Sequence, residues 1–258
     1  MSIRSTNRLH ALMLAALLAT PPGALAAAPL RLASDDWCPF ICVENGAIAD
    51  GFLIELTTRV MAVAGYRVEP VFMPLNRAIM QTGAGSIDGV YAPPLDRRLR
   101  PSVALATSRA CFYTRPDESW TYRGIDSLKT VAVGIIDEYG YDNGPMDAYI
   151  ARNRQHPALL APAFGTTAGT INLRKLLGGR FRVLLEHSAV MDRLARTSGV
   201  TGQLRQAGCL EQSLPLTIGF SADDARANAL VRAVADGLRQ VNASGQLHAL
   251  QQRYGIQP

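Results

Sequence analysis

The stretch Leu30-Arg31-Leu32-Ala33-Ser34-Asp35-Asp36-Trp37-Cys38-Pro39-Phe40 changes character halfway along. Leu30 to Ala33 reads as a short strand, and Ser34-Asp35-Asp36-Trp37 leaves it for a polar loop carrying one large aromatic. Working outward, a helix is predicted from about Phe52 to Ala64. Leu53, Leu56, Val60 and Val63 fall on one stripe, and Gly65 stops it. Val68 to Met73 reads as a second strand closed by Pro74. A helix from about Asn76 to Thr82 ends at Gly83 and Gly85, and Ile87 to Tyr91 is a third strand. Short strands alternating with amphipathic helices make an α/β pattern.

The middle of the chain repeats this order. Ala110 to Thr114 is strand-like, and Arg115 to Gly124 is polar and turn-rich, as a lobe boundary would be. Lys129 to Ile136 is an apolar strand, and Tyr139-Gly140-Tyr141 leads into a helix ending near Asn153. Helix Ile171 to Leu177, strand Phe181 to Leu185 and helix Val190 to Arg196 follow. Leu216 to Phe220 is a strand. Ser221, with Asp224 three residues on, has the spacing of a helix cap. Leu230, Val234, Leu238 and Val241 form the buried stripe of the long helix it would start, and Ser244 to Tyr254 is the last helix. The similarity between the first and middle thirds predicts two related lobes.

The N-terminal segment speaks to compartment. Arg4 and Arg8 precede an apolar run from Leu9 to Ala19, then Pro21-Pro22-Gly23 and the small residues Ala24-Leu25-Ala26. This is the layout of a secretory signal peptide, so residues 1–26 are expected to be removed. Their loss takes two arginines and no acids, lowering the net charge from +5 to +3. No basic stripe of the kind that binds nucleic acid is present. About 230 mature residues suffice for one large domain or two small lobes.

Cys38, Cys42, Cys111 and Cys209 all lie in the exported part, where an even count favours disulfides. Three connectivities are open. Cys38 and Cys42 can bridge only across a tight turn, which Pro39 favours. A Cys111–Cys209 bridge would instead close a long loop. Cys38 and Cys42 have no histidine or second cysteine pair nearby, which argues against a metal site.

Four segments, in order, carry a family resemblance: Asp36-Trp37-Cys38-Pro39-Phe40 with Gly51-Phe52; Met73-Pro74-Leu75-Asn76-Arg77-Ala78 with Gly85-Ser86-Ile87-Asp88-Gly89; Leu176-Leu177-Gly178-Gly179-Arg180-Phe181; and Phe220-Ser221 through Arg253-Tyr254-Gly255-Ile256. The chain resembles type II periplasmic solute-binding proteins of the family serving polar amino-acid ABC importers. The resemblance implies a two-lobed α/β fold with two crossing strands, near Ala110–Thr114 and Leu216–Phe220. Lobe one would comprise residues 28–112 and 215–258, and lobe two residues 113–214. A small ligand would bind between them.

The same resemblance nominates site residues. Asp36, Trp37 and Phe40 follow strand one, Arg77 starts a cleft-side helix, and Tyr91 ends strand three. Tyr139 and Tyr141 flank Gly140 at a lobe-two helix start. Arg97 or Arg98 stands where members grip a ligand carboxylate, although Pro93 and Pro94 remove backbone donors there. Glu186 stands where members place an acid for an α-amino group, with His187 a departure. No nucleophile elbow, metal spacing or phosphate loop is present. The expectation is a monomeric periplasmic binder of a small polar, carboxylate-bearing ligand, without metal or cofactor, partnered by an ABC permease or a membrane sensor. The alternative is a lyase resembling cyclohexadienyl dehydratases, with Glu186 or His187 as acid or base.

Overall fold

The computed structural model describes residues 28–137 and 139–256; the signal-peptide reading of residues 1–26 lies outside them. Two five-stranded sheets organise the chain. The first holds β1 (Leu30–Ser34), β4 (Val68–Phe72), β5 (Gly89–Tyr91), β6 (Leu99–Pro101) and β14 (Ile218–Ser221), in the order β4-β1-β5-β14-β6. The second holds β8 (Ala110–Thr114), β9 (Val133–Ile136), β10 (Leu160–Ala163), β11 (Val183–His187) and β12 (Arg205–Cys209), in the order β10-β9-β11-β8-β12. Each sheet has three parallel strands followed by two antiparallel pairings. The likeness of the two halves seen in the sequence is therefore a likeness of topology.

Two short strands join the lobes. β7 (Ala106–Ser108) pairs antiparallel with β13 (Leu214–Leu216), outside both large sheets. The crossing therefore lies N-terminal to the expected segments. Ala110–Thr114 is an interior strand of the second sheet and Ile218–Ser221 belongs to the first. The expected segments are the more apolar ones because sheet interiors bury side chains, whereas Thr107 in the ribbon faces solvent.

In the first lobe, α1 (Phe52–Val63) lays Phe52, Leu53, Leu56 and Val60 against α6 (Ala227–Ala243), which contributes Leu230, Val234 and Val241. The two helices approach so closely that a Cβ on Gly237 would stand 2.1 Å from the Val60 carbonyl oxygen. α7 (Gln246–Tyr254) closes this face, its Tyr254 hydroxyl within hydrogen-bond distance of both Glu55, at 2.6 Å, and Asp50, which share its single proton. α2 (Leu75–Gly83) packs Leu75, Ala78 and Ile79 with Ala33, Val90 and Leu99. The long helix starts at Ala227 without a side-chain cap, so Ser221 does not cap it. Asp224 is instead taken by the Arg226 backbone N–H at 2.7 Å and its guanidinium.

The second lobe carries α3 (Pro145–Asn153), α4 (Ala168–Leu177) and α5 (Ser188–Thr197). The predicted strand from Lys129 is confined to Val133–Ile136, because Ile125–Thr130 forms a 3-10 helix with Leu128 buried. Cys111 and Cys209 are paired across β8 and β12 in a disulfide closing a separation of 98 residues. The second disulfide joins Cys38 to Cys42. A hairpin of β2 (Cys42–Glu44) and β3 (Ala47–Asp50) follows it, turning at Asn45-Gly46.

Candidate functional site

Strand β1 is followed to one side by β4 and to the other by β5, which makes the carboxyl ends of β1 and β5 a topological switch point. Ser34 and Asp35 end β1 there, and Tyr91 and Ala92 end β5. They line a crevice of about 20 Å³ between the lobes. Trp37 from the first lobe and Tyr139 from the second close it. The Tyr91 hydroxyl and Trp37 Nε1 are both buried there without a partner. Burial pushes the Tyr91 phenol up, so it stays protonated.

Trp37 is held by its loop. Its N–H donates to the Ile41 carbonyl at 2.8 Å, and its own carbonyl accepts from Phe40 at 2.9 Å and Ile41 at 3.1 Å. The Cys38–Cys42 disulfide spans the same turn. A Cβ on Gly51 would come within 2.4 Å of the Phe40 carbonyl oxygen, so the loop is seated on the backbone before α1. Across the cleft the Trp37 ring meets His187 edge-on at 5.0 Å and Tyr139 at 6.0 Å. The Tyr139 hydroxyl donates to the Asp36 carbonyl at 3.4 Å.

Beyond this aromatic contact lies a second interlobe cavity, of about 280 Å³. Asp36, Trp37 and Glu44 line it from the first lobe; Thr166, Glu186 and Arg193 line it from the second. The two charge types sit on different elements. Asp36 and Glu44 flank the disulfide turn, and Glu186 lies at the end of β11. Arg193 projects from α5 and makes no ion pair with any described residue. The N-terminus of α4 also opens here through Ala168 and Gly169, and Thr167 offers it no side-chain cap. Unpaired N–H groups at such an end favour an anionic group.

Glu186 is 1% exposed. Its Oε1 accepts from the His187 backbone N–H at 2.8 Å, yet burial outweighs that bond and pushes the carboxyl up to about 8. His187 is fully buried, stacked on Tyr141 at 5.6 Å with Nε2 3.1 Å from the Gly140 carbonyl. Burial pushes its imidazole down to about 4, so the ring is neutral and Nε2 donates. Asp36 is also raised, chiefly by burial, against the Val43 N–H that donates to it at 3.2 Å.

The cavities gather five of the expected site residues: Asp36, Trp37, Tyr91, Tyr139 and Glu186. The others stand elsewhere. Phe40 is 1% exposed and packs between Trp37 and Phe52. Tyr141 belongs to the second lobe's core, its hydroxyl accepting from the Ile136 N–H at 2.8 Å. Arg77 is exposed on α2 and lines neither interlobe cavity. Arg97 and Arg98 occupy an exposed turn, where Arg98 grips Asp96 through Nε at 2.9 Å and Nη2 at 2.6 Å. Glu44, Thr166 and Arg193 were not anticipated. The only sequence signal for the first was the Asn45-Gly46 hairpin beside it. Arg193 gave none, since a polar residue in an amphipathic helix reads as solvent-facing. Among the described residues no group of three His, Cys, Asp or Glu side chains could hold a metal ion. No described helix is long and apolar enough to cross a membrane.

No family model matches the chain, and no curated sequence matches it significantly. Solved structures do. A histidine kinase sensor domain with similarity to periplasmic binding proteins superposes with a TM-score of 0.71 at 17% identity, covering 88% of this chain and 95% of that one. An ancestral arginine-binding protein bound to arginine gives 0.70 at 15% identity, over 88% and 97%. The arginine-, lysine-, histidine-binding protein ArtJ from Geobacillus stearothermophilus gives 0.70 at 15% identity, over 90% and 97%. With its two matching sheets, its two-stranded connection and these likenesses, the chain has the two-lobed fold of type II periplasmic binding proteins.

Proposed function

We propose that this chain is a periplasmic solute-binding protein that captures a small amino-acid-like molecule between its lobes and presents it to an ABC importer. The observation that carries this reading is the interlobe cavity of about 280 Å³, with carboxyls on both walls and one guanidinium, Arg193, that makes no ion pair with any described residue. An ammonium group fits beside Glu186 and Asp36. A carboxylate fits between Arg193 and the uncapped start of α4. The ligand's carboxylate is then held by lobe two, and the lobe-one arginines stay outside the site. A second basic group on the ligand would find Glu44. Ligand that touches both walls favours the closed arrangement, which is how such a protein reports occupancy to a membrane partner.

Thermal-shift screening of the chain from residue 27 onward, against amino acids, amines, organic acids and small peptides, tests this reading. At a hundredfold excess over Kd, ligand raises folding stability by about 2.7 kcal/mol. A shift with α-amino acids that Arg193→Ala abolishes supports the proposal. A shift only with organic acids, retained in that variant, contradicts it. Turnover of a cyclohexadienyl acid without any such shift would replace binding by the lyase alternative, with Glu186 as the proton-transferring group.

A further inference from the structure

A third cavity, of about 390 Å³, lies behind the cleft and shares no lining residue with the two interlobe cavities. Its walls come from every part that must move when the lobes do. Thr107 and Ser108 belong to the crossing strand β7, and Ser213 directly precedes β13. Phe40 and Ile256 are first-lobe residues; Ser188, Ala189 and Asp192 lie on α5. One helix therefore separates the two larger cavities, Val190, Arg193 and Leu194 facing one and Ser188, Ala189 and Asp192 the other. The disulfide turn is shared in the same way, with Cys38 and Cys42 on the cleft and Phe40 on the hinge side.

The groups in this cavity are arranged to meet a negative charge. Arg109 spends its Nε on the Leu210 carbonyl at 3.1 Å, and neither terminal nitrogen of its guanidinium has a hydrogen-bond or ion-pair partner among the described residues. Helix α5 opens into the cavity at Ser188 and Ala189 and has no side-chain cap; its Ser188 N–H is taken by the Arg109 carbonyl at 2.8 Å. The following N–H groups of the first turn have no intrahelical acceptor. Ser108 supplies an independent sign: it is 4% exposed, and its hydroxyl is buried in this wall without a hydrogen-bond partner. A buried hydroxyl left unsatisfied is destabilising, and an acceptor from a ligand relieves that cost. Among the described residues one carboxylate in the lining, Asp192, stands against these.

We propose that the hinge-side cavity is a second binding site, for a small oxyanion of phosphate or carboxylate type, held by Arg109, Ser108 and the first turn of α5. Because both lobes and the crossing strand wall it, an occupant favours one lobe arrangement over others. This assignment is independent of what the cleft binds.

Isothermal titration of inorganic phosphate, and separately of malonate, into the disulfide-intact chain at constant ionic strength tests it, with chloride as the control. Saturable binding of at least one of the two to one site per chain is expected. Arg109→Ala should weaken it at least tenfold, Ser108→Ala several-fold, and Asp192→Asn should strengthen it by removing a like charge. Both charged side chains are exposed, so these variants keep the fold, which circular dichroism checks. Arg193→Ala, which alters only the cleft, should leave the Arg109-dependent binding in place. Loss of binding in Arg193→Ala but not in Arg109→Ala would place the anion in the cleft and overturn the proposal. So would weaker binding in Asp192→Asn, which means a cationic or zwitterionic occupant. No heat above the chloride control with either probe would mean a solvated groove and no site.

Discussion

Replacing Glu186 by Gln changes one atom and removes one titration, and the structure says what that is worth. The carboxyl has an ordinary value of 4.5, and burial raises it to about 8 in the folded chain. Above pH 4.5 the unfolded chain ionises this group while the folded chain keeps it protonated. Unfolding then releases a proton, so stability falls as pH rises through the window from 4.5 to about 8. The slope is about 1.4 kcal/mol per pH unit while the two states differ by one proton. The substituted amide would keep an oxygen for the His187 N–H, now donated at 2.8 Å, and has nothing to ionise. Urea denaturation of both proteins with disulfides intact, between about pH 5.5 and 7.5, measures the difference directly. The variant should gain on the parent by about 2–3 kcal/mol across those two units. The difference isolates Glu186, because every other group titrates alike in both chains. Parallel pH profiles would refute the reasoning and mean that the Glu186 carboxyl is already ionised in the folded chain.

Other outcomes follow from the packing and the cavities. Gly237→Ala puts a methyl group against the Val60 carbonyl oxygen, 2.1 Å from its ideal position, and should cost about 1–3 kcal/mol by chemical denaturation as α1 and α6 are forced apart. The double variant Cys111→Ala/Cys209→Ala reopens a loop of 98 residues and should lose about 4–5 kcal/mol, read from the denaturation midpoint under oxidising conditions. His187 acts on the acid side: its imidazole, held down to about 4 against an ordinary 6.5, makes stability fall as pH drops through that range. His187→Gln should flatten that limb in the same denaturation series. Arg77→Ala, Arg97→Ala and Arg98→Ala should each leave ligand affinity within about twofold by calorimetry, since surface charges outside the cleft are worth little.

The alternation of strand and helix was legible because amphipathic stripes are long-range signals. α1 begins at Phe52 and α7 ends at Tyr254, where Gly51 and Gly255 punctuate the chain. Elements without such stripes were not legible. β7 is only Ala-Thr-Ser, β10 contains Pro162, and β12 reads Arg-Gln-Ala-Gly-Cys, polar because it is the last strand of its sheet. Ser221 has the spacing of a cap, yet it ends a strand, and Asp224 and Arg226 satisfy each other in the turn that intervenes. Asp36, Tyr91 and Glu186, nominated from the sequence, line the interlobe cavities because they sit at or just past strand ends, where a switch-point crevice must open. Arg77, Arg97 and Arg98 line neither interlobe cavity, because a motif position does not fix where a turn points; Asp96, two residues before Arg98, takes its guanidinium. Arg193 needed the three-dimensional juxtaposition of α5 with the disulfide turn.

The central claim is that ligand is held in the cleft by Glu186 and Arg193 of the second lobe, with Asp36 of the first lobe facing them. Calorimetric titration of the best α-amino acid from the panel into the parent, Glu186→Gln and Arg193→Ala, at about pH 6 and pH 8, tests it most directly. Because an ammonium group requires Glu186 ionised, parent affinity should rise severalfold to tenfold per pH unit until about pH 8. That rise should vanish in Glu186→Gln, and affinity should fall at least tenfold in Arg193→Ala at both values. Unchanged affinity in both variants, with the same pH dependence as the parent, would contradict the account and move the ligand out of this cavity.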